Sequence, residues 1–87
     1  MTFIVQRAAT EDVVTFTLSG RIKAEEVAEL NRIFEAEGHL HRIVLDLKEV
    51  KIADQDAVRF LARCEANGVR LVDCPAYIRE WIAGERP

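Results

Sequence analysis

Residues 43–58 read IVLDLKEVKIADQDAV, and this stretch changes period halfway along. Ile43, Leu45 and Leu47 are apolar on one face of an extended chain, and Val44 is apolar on the other. That pattern predicts a central strand over Arg42 to Leu47, covered on two sides. Lys48 to Ala53 reads as a loop. From Gln55 the apolar spacing becomes helical: Ala57, Phe60, Leu61 and Cys64 share one stripe of a helix running to Asn67. Asn67-Gly68 stops that helix, and Val69 to Val72 is the next short strand.

Working backward, Ala24 to Glu37 is a second amphipathic helix with Val27, Leu30, Ile33 and Phe34 inward. Glu25 and Glu26 fall in its first turn, where carboxylates suit the helix dipole. Gly38 is its expected C-cap. Val13 to Ser19 alternates: Val14, Phe16 and Leu18 point one way, and Thr15, Thr17 and Ser19 the other. Phe3 to Arg7 is a further strand, and the Ala8 to Asp12 connection is short enough for an antiparallel hairpin. Gly20 is read as the end of that hairpin. At the other terminus Pro75 opens a last helix to about Ala83, closed by Gly84.

The order β-β-α-β-α-β-α contains two β-α-β units, which require parallel pairing and right-handed crossovers. The expectation is α/β: a single small domain over residues 1–87 with a four-stranded mixed sheet and packed helices. Ligands and partners of such sheets meet the carboxyl ends of the strands. Here that rim is Gly20 to Lys23, Asp46 to Ala57 and Asp73 to Pro75.

Composition narrows the function. The chain has 87 residues, 49% hydrophobic and 31% charged, which is the profile of one folded domain. The net charge of −3 argues against nucleic acid or an anionic membrane surface, both of which want a basic face. No apolar run approaches the ~20 residues of a membrane span. Met1 to Val5 is too short for a signal-peptide core, so a cytoplasmic protein is expected. Cys64 and Cys74 are then reduced thiols rather than a disulfide. A chain this short favours a binding module over an enzyme.

Several residues invite a chemical reading. Asp54 is placed to cap the helix that starts at Gln55, with Asp56 in its first turn. Asp46, Asp54 and Asp56 together suggest hard oxygen ligands for a divalent cation, and hence a small metal-dependent or acid-site enzyme. Asp46, however, lies within a strand between two leucines. His39 and His41 flank Leu40 in a loop with no further ligands nearby, which reads as a solvated pair. Cys64 reads as a buried inert thiol. Cys74 precedes a helix start, where a thiolate would be favoured, but no histidine neighbours it in sequence. Tyr77 and Trp81 sit one turn apart on a flank of the last helix, a surface suited to self-association.

The segment IVLDLKEVKIADQDAV resembles the most recognisable part of STAS domains, the fold of bacterial anti-sigma-factor antagonists and of sulfate-transporter tails. In that family a hydrophobic strand ends in Asp-Leu, and a loop leads to Asp-Ser-Ser/Thr-Gly at a helix start. VTFTLSGR, residues 14–21, resembles the family's second strand, and GVRLVDCP, residues 68–75, its last strand and turn. The resemblance implies a non-catalytic protein that binds a partner, often a kinase-type anti-sigma factor, and lets go when the helix-start hydroxyl is phosphorylated. Laid on this chain, Asp54 matches the family aspartate. Gln55 stands for the first Ser, Asp56 for the phosphorylated Ser or Thr, and Ala57 for the Gly. No hydroxyl is left in the loop. Asp56 carries one negative charge where a phosphoserine carries about −1.5 to −2.

The expected partner surface is therefore Arg21, Lys48, Asp54, Gln55, Asp56 and Ala57, continued along the helix by Arg59 and Arg63. The expected partner is a protein, either a kinase-type anti-sigma factor or another regulatory protein, with no nucleic acid, membrane, metal or cofactor. A homodimer through Tyr77 and Trp81 is the structural alternative.

Overall fold

The computed structural model describes residues 3–37 and 42–85. The elements are β1 (Phe3–Ala9), β2 (Val13–Ile22), α1 (Ala24–Glu37), β3 (Arg42–Ala53), α2 (Gln55–Ala66), β4 (Arg70–Val72) and α3 (Ala76–Glu85). The strand order is β1-β2-β3-β4. The β1–β2 pair is antiparallel, and β2–β3 and β3–β4 are parallel. This is the mixed four-stranded sheet that the sequence predicts. Gly38, His39 and His41 lie outside the described residues.

The hairpin is tighter than its sequence reading. Ala9 pairs with Val14, so only Thr10 to Asp12 turn the chain, closed by the Thr10 N–H donating to the Val13 carbonyl at 2.8 Å. The parallel ladder is longer than read. β2 does not stop at Gly20, and Lys48 to Ala53 is not a loop: Gly20 pairs with Val50 and Ile22 with Ala53. The register slips between Thr17 and Ser19 and again between Gly20 and Arg21. Gly20 takes φ +95°, which a side chain would resist, so the second irregularity falls where only glycine is comfortable. The slips also change the burial period. Leu47, Val50 and Ala53 are buried three apart, so strict alternation could not find this half of the strand.

One core holds the domain. Val14, Phe16 and Leu18 of β2 and Leu45 and Leu47 of β3 are sealed by Leu30 of α1, Ala57, Val58, Phe60 and Leu61 of α2, and Ile78 and Ile82 of α3. Phe34 stands between Phe16 and Phe60, with ring centroids 5.4 and 5.7 Å away. Such aromatic pairs contribute about 0.5–1.5 kcal/mol each beyond their burial. The opposite face of the sheet carries Thr15, Thr17, Val44, Asp46 and Val72, which are only half-buried and join no core cluster. The two-sided cover expected for β3 is thus replaced by helices on one side. β-branched residues suit a half-exposed pleated surface, so Val44 needs no helix above it.

Helix ends follow local chemistry. Asn67 is the C-cap of α2, and the next residue, Gly68, has φ +97°. The Gly68 N–H donates to Glu65 and the Val69 N–H to Cys64, the paired bonds of a Schellman closure. Gly84 does not end α3 but lies within it, one residue before its last position. Asp73, between β4 and α3, takes φ +53°, a left-handed conformation that aspartate tolerates better than most residues.

Candidate functional site

The carboxyl ends of β2 and β3 and the amino ends of α1 and α2 form one rim, whereas β4 ends opposite Asp46, seven residues short of Ala53. The centre of the rim is Asp54. The Asp54 side chain accepts from the Ala57 N–H through Oδ1 at 2.9 Å, which is the N-cap of α2. Its other oxygen, Oδ2, accepts from the Ala24 N–H of α1 at 3.3 Å. The Asp54 N–H itself donates to the Ile22 carbonyl at 3.1 Å, extending the β2–β3 ladder by one bond. Asp54 is therefore a joint between two helices and a strand, and both of its oxygens are occupied.

Asp56 is placed differently. It stands exposed in the first turn of α2, with no hydrogen bond or ion pair among the described residues. Gln55 beside it is exposed as well. Both face solvent where backbone N–H groups and the positive end of the helix dipole favour negative charge. Arg21, at the end of β2, and Arg59, one turn along α2, are exposed.

Two expected rim residues fall elsewhere. Ala57 is fully buried in the core, so its side chain packs and offers nothing to a partner. Arg63 lies eight residues beyond Gln55, about 12 Å along the helix, and turns to a groove at the other end of the molecule.

The stretch of β3 beyond β4 has two backbone groups taken by side chains. Asp46 Oδ1 accepts from the Lys48 N–H at 3.0 Å, and the Tyr77 hydroxyl donates to the Lys51 carbonyl at 3.0 Å. Occupied groups on an open strand blunt it against pairing with another chain. Lys48 is exposed. Sequence reading did not foresee the Tyr77 role, because the bond spans 26 residues. Tyr77 and Trp81 are nevertheless both exposed, at 46% and 37%.

The three aspartates do not converge. Asp46 and Asp54 are each committed to backbone N–H groups, and among the described residues no three His, Cys, Asp or Glu side chains gather as a cation site. Burial pushes Cys64 from 9.0 up to about 12, and it also raises Cys74, against the pull of Arg79. The shift at Cys74 runs opposite to the one a helix start favours, because its desolvation outweighs the nearby guanidinium. Arg79 is held by Glu65, with Nη1 2.9 Å from both carboxylate oxygens.

No family model matches this chain, and no curated protein matches it by sequence. Solved structures do match. The STAS-domain anti-sigma-factor antagonist from Rhodobacter sphaeroides superposes with a TM-score of 0.66 at 20% identity, over 82% of this chain and 86% of that one. The anti-sigma-factor antagonist SpoIIAA in its unphosphorylated form gives 0.63 at 18% identity, over 91% and 79%. A protein with a SpoIIAA-like fold from Shewanella loihica gives 0.58 at 14% identity, over 91% and 71%. The fold is that of STAS domains, as the sequence resemblance predicts. No helix among the described residues is long and apolar enough to cross a membrane.

Proposed function

We propose that this domain is a non-catalytic, cytoplasmic regulatory module that binds another protein through the rim around the start of α2, in the manner of an anti-sigma-factor antagonist. The observation that carries the reading is Asp56, an exposed and unpartnered carboxylate on the first turn of α2, beside a cap already completed by Asp54. A carboxylate left without a partner at a helix start is a ready contact for a charged or hydrogen-bonding group on another molecule. The neighbours that share the fold include two proteins described as anti-sigma-factor antagonists.

The rim comprises Arg21, Lys48, Gln55, Asp56 and Arg59. The partner is a kinase-type anti-sigma factor or another regulatory protein. Gln55 and Asp56 leave no hydroxyl to phosphorylate, so engagement is constitutive or set by abundance. No cofactor takes part.

A photocrosslinking residue at Gln55 tests this in native extract. It should trap a discrete partner, whereas the same residue at Glu11, in the turn at the far end of β2, should not. Equal trapping at both positions, or trapping at Glu11 alone, contradicts the reading.

A further inference from the structure

At the end of the sheet opposite the rim, an open groove of about 710 Å³ runs between the carboxyl-terminal halves of α1 and α2. Its apolar lining is Phe34, Phe60, Ile43 and Val69. Phe60 is buried in the core against Phe34, so the apolar surface left open to the groove belongs to the partly buried Phe34, Ile43 and Val69. Arg42 and Arg63 also line the groove, from β3 and α2, and among the described residues the carboxylate of Glu35, on α1, lines it too.

Both arginines are exposed, and neither has an ion pair or side-chain hydrogen bond among the described residues. This is unlike Arg7 and Arg79, each of which is held by a glutamate. The groove joins polar and apolar side chains in comparable measure, and a concavity that sets apolar surface beside a few placed polar groups can hold a small molecule. Guanidinium groups without a carboxylate partner select anionic oxygens, which they bind through forked N–H donors.

We propose that this groove is a second binding site, separate from the rim, for a small amphipathic organic anion: a flat apolar body against Phe34, Ile43 and Val69, and a carboxylate or sulfonate held by Arg42 and Arg63. The volume suits a molecule of one or two rings. The site does not depend on the rim reading, since it shares no residue with Asp54 to Arg59. α2 nevertheless spans both sites, its first turn at the rim and its last turn on the groove.

The probe is anilinonaphthalenesulfonate, with uncharged phenylnaphthylamine as its companion, added to the whole domain. The sulfonate should bind saturably at one equivalent with enhanced, blue-shifted fluorescence. It should also shift amide resonances of Phe60 to Val69 and leave Gln55 and Asp56 unmoved. The double variant Arg42→Gln, Arg63→Gln should weaken it by at least about tenfold, the factor one charge-assisted hydrogen bond carries, while phenylnaphthylamine binding changes little. Both changes are on exposed side chains, so the fold is retained, as circular dichroism would verify. Absence of saturable sulfonate binding overturns the proposal. So does equal binding by wild type and double variant, or resonance shifts centred on the rim.

Discussion

The Asp54 carboxylate accepts from the amide of Ala24, thirty residues earlier, at 3.3 Å. α1 opens after Lys23, whose side chain has no acceptor with which to cap it. Two other residues supply the missing acceptors. Glu26 reaches back to the Lys23 N–H at 2.9 Å, the N3 half of a capping box, and Asp54 arrives from the far end of β3. One carboxylate thus ties the starts of α1 and α2 together at the rim. This is also why Asp54 is not available to a partner and Asp56 is.

Replacing Asp54 should accordingly cost more than an ordinary cap. Asp54→Ala should lose about 0.5–2 kcal/mol for the α2 cap, with the Ala24 contact adding to it. Asp54→Asn retains one acceptor oxygen and should cost less. Asp56→Ala removes only a first-turn charge, worth about 0.3–1 kcal/mol. Urea melts should rank the three in that order, and a larger loss for Asp56→Ala would show the cap is misplaced.

Stability should fall in alkali because of Cys64. Burial holds this thiol, 7% exposed, up at about 12, while in the unfolded chain it ionises near 9.0. Between those values the unfolded state holds fewer protons than the folded state. The contribution is therefore complete below about pH 9 and is lost as pH rises toward 12, at up to about 1.4 kcal/mol per pH unit. The raised Cys74 and Tyr77 act in the same direction. Unfolding free energies across this range should decline less steeply for Cys64→Ala than for wild type, and parallel slopes would contradict the assignment.

Tyr77→Phe isolates a single bond. The variant keeps the ring against α3's surroundings and removes only the hydroxyl on the Lys51 carbonyl. The loss should be about 0.5–1.5 kcal/mol, toward the low end because the site is half open. Amide exchange in α3 should quicken while that of β2 does not. Unchanged exchange in α3 would mean the bond is not a tether.

Sequence reading captured what local periodicity controls. The α1 span, the caps at Asp54 and Gly68, and the inward stripe of α2 each depend on residues within a turn or two of one another. It missed what long-range pairing controls. Lys48 to Ala53 reads as a loop because the register slips alter its period, and only β2 alongside makes it a strand. Cover on one face of β3 and the burial of Ala57 depend on where helices land in space. For the site, Asp56 was legible as a charge at a helix start. The separation of Arg63 from the rim follows only from the direction in which α2 runs.

One isotherm tests whether the Asp56 charge holds the partner. The partner trapped at Gln55 is titrated against wild type and Asp56→Asn, which preserves shape and removes the charge. Affinity should change by about 1.5–3 kcal/mol, the range of hydrogen bonds to charged groups, with the melting curve unaltered in form. Equal affinities for the two proteins would mean that Asp56 is only a helix-start residue and that the partner is held elsewhere.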